Sequence, residues 1–351
     1  MTDLTRRCFM AAALAAVGTA SLTRTAQATT DTRPRRIFMV LPRSDMADAV
    51  GFQAYLAGSG IPIEYIRRVV GSDPAKIQAA LEEIRHTRPD LVFSVFTQIT
   101  QDLAGDARSE ETALGDIPLV FSSVTDPVAA NVVSRLREHG RNITGTRHIA
   151  PIATQLKVIA SYRPFQRLAI IYNALEPNML ATVAELRQLS AINGFTLIEK
   201  AVPVEHGDAN TAAMSRLVAE AAGEGAEFLY IGPDSLIASK NSEVIAEAAL
   251  ACRLPTFCAT ELPIRTSNVL FGLVSRAYNV GSLAGFQATQ ILAHGKPARE
   301  IPIETLQRFA LMLRMSVAKE LHFFPPMLLL KIAEVNTDSL AAGRKTRPSL
   351  G

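Results

Sequence analysis

The feature that most constrains this chain is a repeating pair of signals: a short, unbroken apolar run, then a helical stretch. Ile37-Phe38-Met39-Val40-Leu41 offers no polar position to turn toward water. Such a run suits a strand buried on both faces, as in parallel sheets covered by helices. A helical stretch follows over 45–57, then a strand over 61–69. Ser72-Asp73-Pro74 opens the next helix, to about His86, with proline in the first turn. Strands over 90–96 and 117–121 come next, each followed by a helix, from 98 to about 111 and from 126 to about 138.

The pattern restarts after Asn142-Ile143-Thr144-Gly145. A helix covers 152–162. Strands over 168–172, 196–202, 228–232 and 255–259 alternate with helices near 177–193, 209–222 and 235–251. A strand over 268–274, a helix from about 278 to 294 and an extended stretch over 302–313 complete the series. Two β-α series in 351 residues define an α/β protein with two doubly wound, parallel-sheet lobes. The first lobe is expected over 36–145 with about 275–300, the second over 146–274 with about 301–335. A hinge of three crossings, near Gly145, Ser275 and Pro302, joins them. Residues 336–351 read as a flexible tail.

Residues 1–28 read as an address. Arg6-Arg7 with Phe9 precedes an Ala-rich run to Leu22, and Ala26-Gln27-Ala28 is a small-x-small cleavage signature. The paired arginines look like a twin-arginine export signal, which predicts a periplasmic protein beginning at Thr29. The alternative is an uncleaved anchor, but the run is shorter than the roughly 20 residues a spanning helix needs.

Composition removes several function classes. Lys plus Arg is 36 and Asp plus Glu is 33, so no basic excess marks a nucleic-acid surface. No Trp is present, and three Cys make no disulfide scaffold. Cys252 and Cys258 flank one helix-to-strand connection; two buried thiols are the expected state, a bridge the alternative. The sequence holds no Walker loop, no Gly-x-Gly-x-x-Gly after a strand, no His-x-x-x-His pair on a helix and no Gly-x-Ser-x-Gly elbow. No catalytic residue, cofactor or metal is therefore expected.

Ligands of open α/β sheets bind outside the carboxyl ends of the strands. The turns there carry Arg43, Ser44, Asp45, Thr97, Ser122, Ser123, Thr125 and Asp126 in the first series. The second series offers Asn173, Glu176, Asn178, Asp234, Ser235, Thr260, Glu261, Ser275, Arg276 and Tyr278. Each also suits a helix cap. Both series carry such turns, and two facing polar rims suit a ligand held between lobes.

Four stretches carry a resemblance. They are Asp116-Ile117-Pro118-Leu119-Val120-Phe121-Ser122-Ser123-Val124-Thr125-Asp126-Pro127-Val128-Ala129, Asn142-Ile143-Thr144-Gly145, Tyr172-Asn173 with Glu176-Pro177-Asn178, and Gly232-Pro233-Asp234-Ser235-Leu236. Together they resemble ABC-transporter substrate-binding proteins of the tryptophan-binding type, with a type I periplasmic binding fold, over roughly 36–335. The resemblance implies a non-enzymatic solute receptor feeding a membrane permease, with Thr97, Asp126, Asn178, Asp234, Glu261 and Tyr278 in its cleft. The family commonly has Gly before the threonine at 97, where this chain has Phe96. It often has Gly-Pro-Asp where this chain has Val274-Ser275-Arg276.

Ser44, Thr97 and Thr125 at helix starts suit a ligand carboxylate. Asp234 and Glu261 suit an ammonium. Arg276 either neutralises one of those acids or holds a further anionic group on the ligand. The same fold also serves sensory receptors, and an exported enzyme is the third reading.

Overall fold

The computed structural model describes residues 33–337 except Ser72 and Glu110. The expected signal segment, Ser72 and the tail beyond 337 lie outside the described residues.

The first sheet is all parallel. It is built from β1 (Arg35–Leu41), β2 (Ile63–Val69), β3 (Leu91–Val95), β4 (Leu119–Val124), β5 (Ile143–Arg147) and a short strand at Glu304–Thr305, in the order Glu304–Thr305, β5, β4, β3, β1, β2. Its helices are α1 (Ala47–Ala57), α2 (Pro74–Thr87) and α3 (Thr97–Ala104). The apolar run of β1 is shared between two cores. Phe38 and Val40 join the core under α2 and α3, while Ile37, Met39 and Leu41 join Phe52 and Leu56 of α1. Phe52 stacks on Phe93 of β3 with centroids 4.0 Å apart.

The second sheet follows the helix α4 (Ile152–Tyr162). Its elements are β6 (Arg167–Tyr172), α5 (Pro177–Asn193), β7 (Thr196–Ala201), the hairpin β8 (Val204–Glu205) and β9 (Asp208–Ala209), α6 (Met214–Gly223), β10 (Phe228–Ile231), α7 (Ser242–Ala251), β11 (Thr256–Cys258), α8 (Glu261–Thr266) and β12 (Phe271–Val274). After β12 the chain returns to the first lobe as α9 (Ala277–Leu292) and β13, the strand Glu304–Thr305. It then finishes the second with β14 (Ala310–Arg314), α10 (Met315–Leu321), α11 (Met327–Ile332) and β15 (Glu334–Asn336). The sheet order is β15-β14-β12-β11-β10-β6-β7, with β14 antiparallel to β12. The chain is α/β with two parallel-sheet lobes.

Helix α9 lies on α1 with almost no side chain between the backbones. A Cβ on Gly51 would fall 1.9 Å from the Tyr278 carbonyl, and one on Gly281 1.9 Å from the Asp48 carbonyl. Glycine is required at both points, and the start of α1 is thereby fixed to the start of α9.

Several expectations need correction. β5 stays in the first sheet through Arg147, and β13 pairs with it. The first and third crossings therefore follow Arg147 and Thr305, later than Gly145 and Pro302. The helix expected over 126–138 is absent. Its stretch is turns, with Asn131 and Glu138 at positive φ, held by the buried Arg141 guanidinium on the Val132, Ala104 and Glu111 carbonyls. The helix expected to 111 ends at Ala104, where Gly105 takes φ 70°. Asn336, expected to begin the tail, instead ends the strand Glu334–Asn336, which pairs with β14. Cys258 is buried, Cys252 half-buried, and both are free thiols. Among the described residues no helix is long and apolar enough to cross a membrane.

Candidate functional site

The strand-to-helix turns of both sheets face one cleft of about 540 Å³. The first lobe contributes the turn after β1 with the start of α1, Phe96 and Thr97 after β3, Ser123 and Thr125 at the end of β4, and His148. The second contributes Asn178, the turn Pro233–Ser235 after β10, and the start of α8. Ser275 and Arg276, on the second crossing, run along its edge.

Asp234 is buried and caps the turn that follows it. Its Oδ1 accepts the Leu236 and Ile237 N–H groups at 2.9 and 2.8 Å, and Oδ2 accepts the Asn173 N–H at 2.8 Å. Burial, with the Glu176 charge adding to it, pushes its carboxyl up to about 6 against those three hydrogen bonds. Asn178 fastens the start of α5 to the same turn, donating to the Pro233 carbonyl at 3.0 Å.

Glu261 is fully engaged. Its Oε1 accepts from Arg276 at 2.6 Å and Arg265 at 2.7 Å, and Oε2 caps α9 through the Ala277 N–H at 2.9 Å. Burial works against its ionisation, but the Ala277 N–H and the two guanidinium groups outweigh it and hold the carboxyl below the usual range. Arg276 also pairs with Glu334 of β15. Of the two roles expected for Arg276, the structure shows neutralisation of acids.

The sequence reading missed Asp48. It lies in the first turn of α1, buried, and its Oδ1 accepts from Ser122 Oγ at 2.7 Å and Ser123 Oγ at 2.5 Å. Burial raises its carboxyl above the usual range; the two hydroxyls oppose the shift and the Glu261 charge adds to it. An acid in the first turn of α1 is the local signal that could have found it. Among the described residues, three polar atoms on the cleft wall are buried without a partner: His148 Nδ1, Thr260 Oγ1 and Ser275 Oγ. Burial also pulls His148 down to about 4, so its imidazole is neutral.

Two non-glycine residues hold unusual backbone on the first-lobe rim. Ser123 has φ 57°. Phe96 has φ 73° and ψ 160°, a region that is essentially glycine's.

Of the residues expected at the site, Thr97, Thr125, Asn178, Asp234, Glu261, Arg276 and Tyr278 line the cleft. Ser44 and Asp126 do not. Ser44 is exposed beside the lining residues Arg43 and Asp45. Asp126 accepts the Val128 and Ala129 N–H groups and opens on a neighbouring cavity of about 390 Å³ that shares Thr125 and Asn178 with the cleft. Among the described residues no group of three His, Cys, Asp or Glu is gathered to hold a metal.

Fold and cleft together define a two-lobed binding protein. Residues 43–336 match the family described as ABC transporter substrate binding protein, and the chain belongs to it. The family is one of substrate-binding proteins, not enzymes. The tyrosine-binding protein of Clostridioides difficile (strain R20291) is 25% identical over 270 residues, 77% of this chain and 73% of that protein. A conserved domain protein of Vibrio cholerae O1 biovar eltor has a TM-score of 0.74 at 21% identity, covering 86% of this chain and 99% of that one. The ABC domain in complex with L-Trp from Streptococcus pneumonia has a TM-score of 0.71 at 21% identity, with the same coverage.

Proposed function

We propose that this protein is a periplasmic solute receptor that captures a small amino-acid-like ligand between its lobes and delivers it to an ABC importer. The observation that carries the reading is the cleft itself: polar turns at the carboxyl ends of both sheets, joined by three short crossings that permit hinge closure. Membership of the substrate-binding family supports the importer, whose permease is the expected partner. The names of the relatives support an amino acid, since one is called tyrosine-binding and another was solved with L-Trp. Thr97 and Thr125 suit the ligand's polar groups on one side, Asn178 and Asp234 on the other. Arg6-Arg7 and Ala26-Gln27-Ala28 support export through the twin-arginine route with Thr29 as the mature first residue.

The test is a thermal-shift screen of the mature chain against the proteinogenic amino acids, including tyrosine and tryptophan. A ligand at 100 times its dissociation constant adds about 2.7 kcal/mol. Solution scattering with the best compound should show compaction. An unchanged radius at saturation refutes the closing cleft. Recovery of an intact, membrane-bound chain refutes the export reading, and N-terminal sequencing of periplasmic protein checks Thr29.

A further inference from the structure

We infer that the Asp48 carboxylate, held by the Ser122 and Ser123 hydroxyls at the first turn of α1, is the seat of a ligand ammonium group, with Asp234 on the second-lobe wall of the same cleft. The inference rests on the receptor reading and adds the chemistry of one end of the ligand.

The charges around the cleft carry it. Three guanidinium groups line the cleft, and each has an acid partner. Arg43 meets Asp45 at 3.4 Å, Arg265 meets Glu261, and Arg276 meets Glu261 and Glu334. Asp48 and Asp234 are the two buried acids of the wall, and among the described residues neither pairs with a cation. A buried carboxylate without a cation is expensive to keep ionised.

The two acids differ in what they have left to give. Asp234 spends both oxygens on three backbone N–H groups. At Asp48 both serine hydroxyls go to Oδ1 and the residue's own N–H also bonds the carboxyl, but among the described residues no other residue donates to Oδ2. An ionised carboxyl accepts about four hydrogen bonds, so Asp48 has acceptor capacity to spare. Ser275 supplies the independent sign of a ligand. It is 5% exposed, lines the same cleft, and its hydroxyl has no partner. That oxygen accepts from an ammonium or donates to a carboxylate equally well.

The competing role for Asp48 is a strut tying α1 to β4. A strut needs an acceptor for the two hydroxyls and no charge. Asp48→Asn keeps an acceptor oxygen of nearly the same shape and removes the charge, so it separates the roles.

The probes are tyrosine and tryptophan, their carboxyl-less amines tyramine and tryptamine, their amine-less acids 3-(4-hydroxyphenyl)propionate and indole-3-propionate, and glucose as a neutral control. Calorimetry on the mature chain should find binding only among the amine-bearing compounds. Asp48→Asn should melt at or above the wild-type temperature without ligand, and lose about tenfold to a hundredfold in affinity for the bound amine. Amine-less acids binding as tightly as their amino acids, or Asp48→Asn binding within twofold of wild type, overturns the ammonium seat and leaves the receptor reading standing. If Asp48→Asn does not fold, the comparison of matched compounds on wild type decides alone. No binding by any probe overturns the seat; no compaction with any small solute tested is what overturns the receptor reading.

Discussion

At Phe96 the backbone and the side chain disagree. With φ 73° and ψ 160° the position asks for glycine. Comparing Phe96→Ala with Phe96→Gly isolates the backbone contribution, because both variants lose the same ring. A residue with a Cβ in this region costs of order 1–3 kcal/mol. Glycine gives back roughly 0.5–1 kcal/mol through its greater freedom in the unfolded chain. The glycine variant should therefore be more stable than the alanine variant by about 1 kcal/mol, the reverse of the order at ordinary positions. Urea unfolding followed by circular dichroism suits a chain without Trp, and the difference should appear as a shifted midpoint at constant slope. An alanine variant equal to or more stable than the glycine variant refutes the strain. The same pair reports on function: Phe96 lines the cleft as well as packing on the first-lobe core, so both variants should accept bulkier ligands than the parent chain.

Acid stability should turn on two opposing groups. Asp234, at about 6 in the fold against an ordinary 3.8, keeps a proton that the unfolded chain has lost between pH 4 and 6, so its share of stability falls as pH rises. His148, at about 4 against 6.5, lacks a proton that the unfolded chain holds over nearly the same window, so its share rises with pH. Asp234→Asn should therefore leave a profile that climbs from pH 4 to 6.5 and His148→Gln one that falls, each by at most about 1.4 kcal/mol per pH unit. Superimposable profiles for the three proteins rule the opposition out. Gly281→Ala gains up to about 1 kcal/mol of helix propensity, yet its Cβ meets the Asp48 carbonyl. Its urea midpoint should fall by the equivalent of about 1–3 kcal/mol, and an unchanged midpoint contradicts the close crossing. Arg276→Ala should cost roughly 1 kcal/mol of stability and change ligand affinity by less than about 0.5 kcal/mol. A larger loss in calorimetry returns Arg276 to the ligand.

What could be read in advance followed from local signals. The helices Ile152–Tyr162 and Pro177–Asn193 begin and end where expected, the first after Pro151 and the second between Glu176-Pro177 and Gly194. Prolines at the start and a left-handed glycine at the end act within one turn of the chain. Where reading failed, the deciding partner was distant. The stretch after Asp126 has a helical composition, but the buried Arg141 guanidinium ties its Val132 carbonyl to the Ala104 carbonyl at the end of α3, a link that no local pattern reveals. Asp48 gains its meaning from serines 74 and 75 residues away. Arg276 was recognised as a cleft residue, while its commitment to Glu334 depended on a strand at the chain's far end. Ser44 misled because a strand-end turn has an outer as well as an inner side.

The return of the chain as α9 and β13 sets the order in which the lobes can be finished. The second lobe's sheet core from β6 to β12 is one continuous stretch of chain. The first lobe is made earlier by the ribosome, yet it lacks its last layer until α9 arrives: Ser282 reaches the Gly51 carbonyl across 231 residues, and β5 keeps an open edge until Glu304 appears. Until then the α1 face around Gly51 and the outer edge of β5 lack their cover, the kind of surface on which nascent chains aggregate or recruit chaperones. The residues synthesised first thus wait for α9 to be covered, and a nascent chain released short of Ala277 would carry a half-covered first lobe beside a second lobe still lacking β14 and β15.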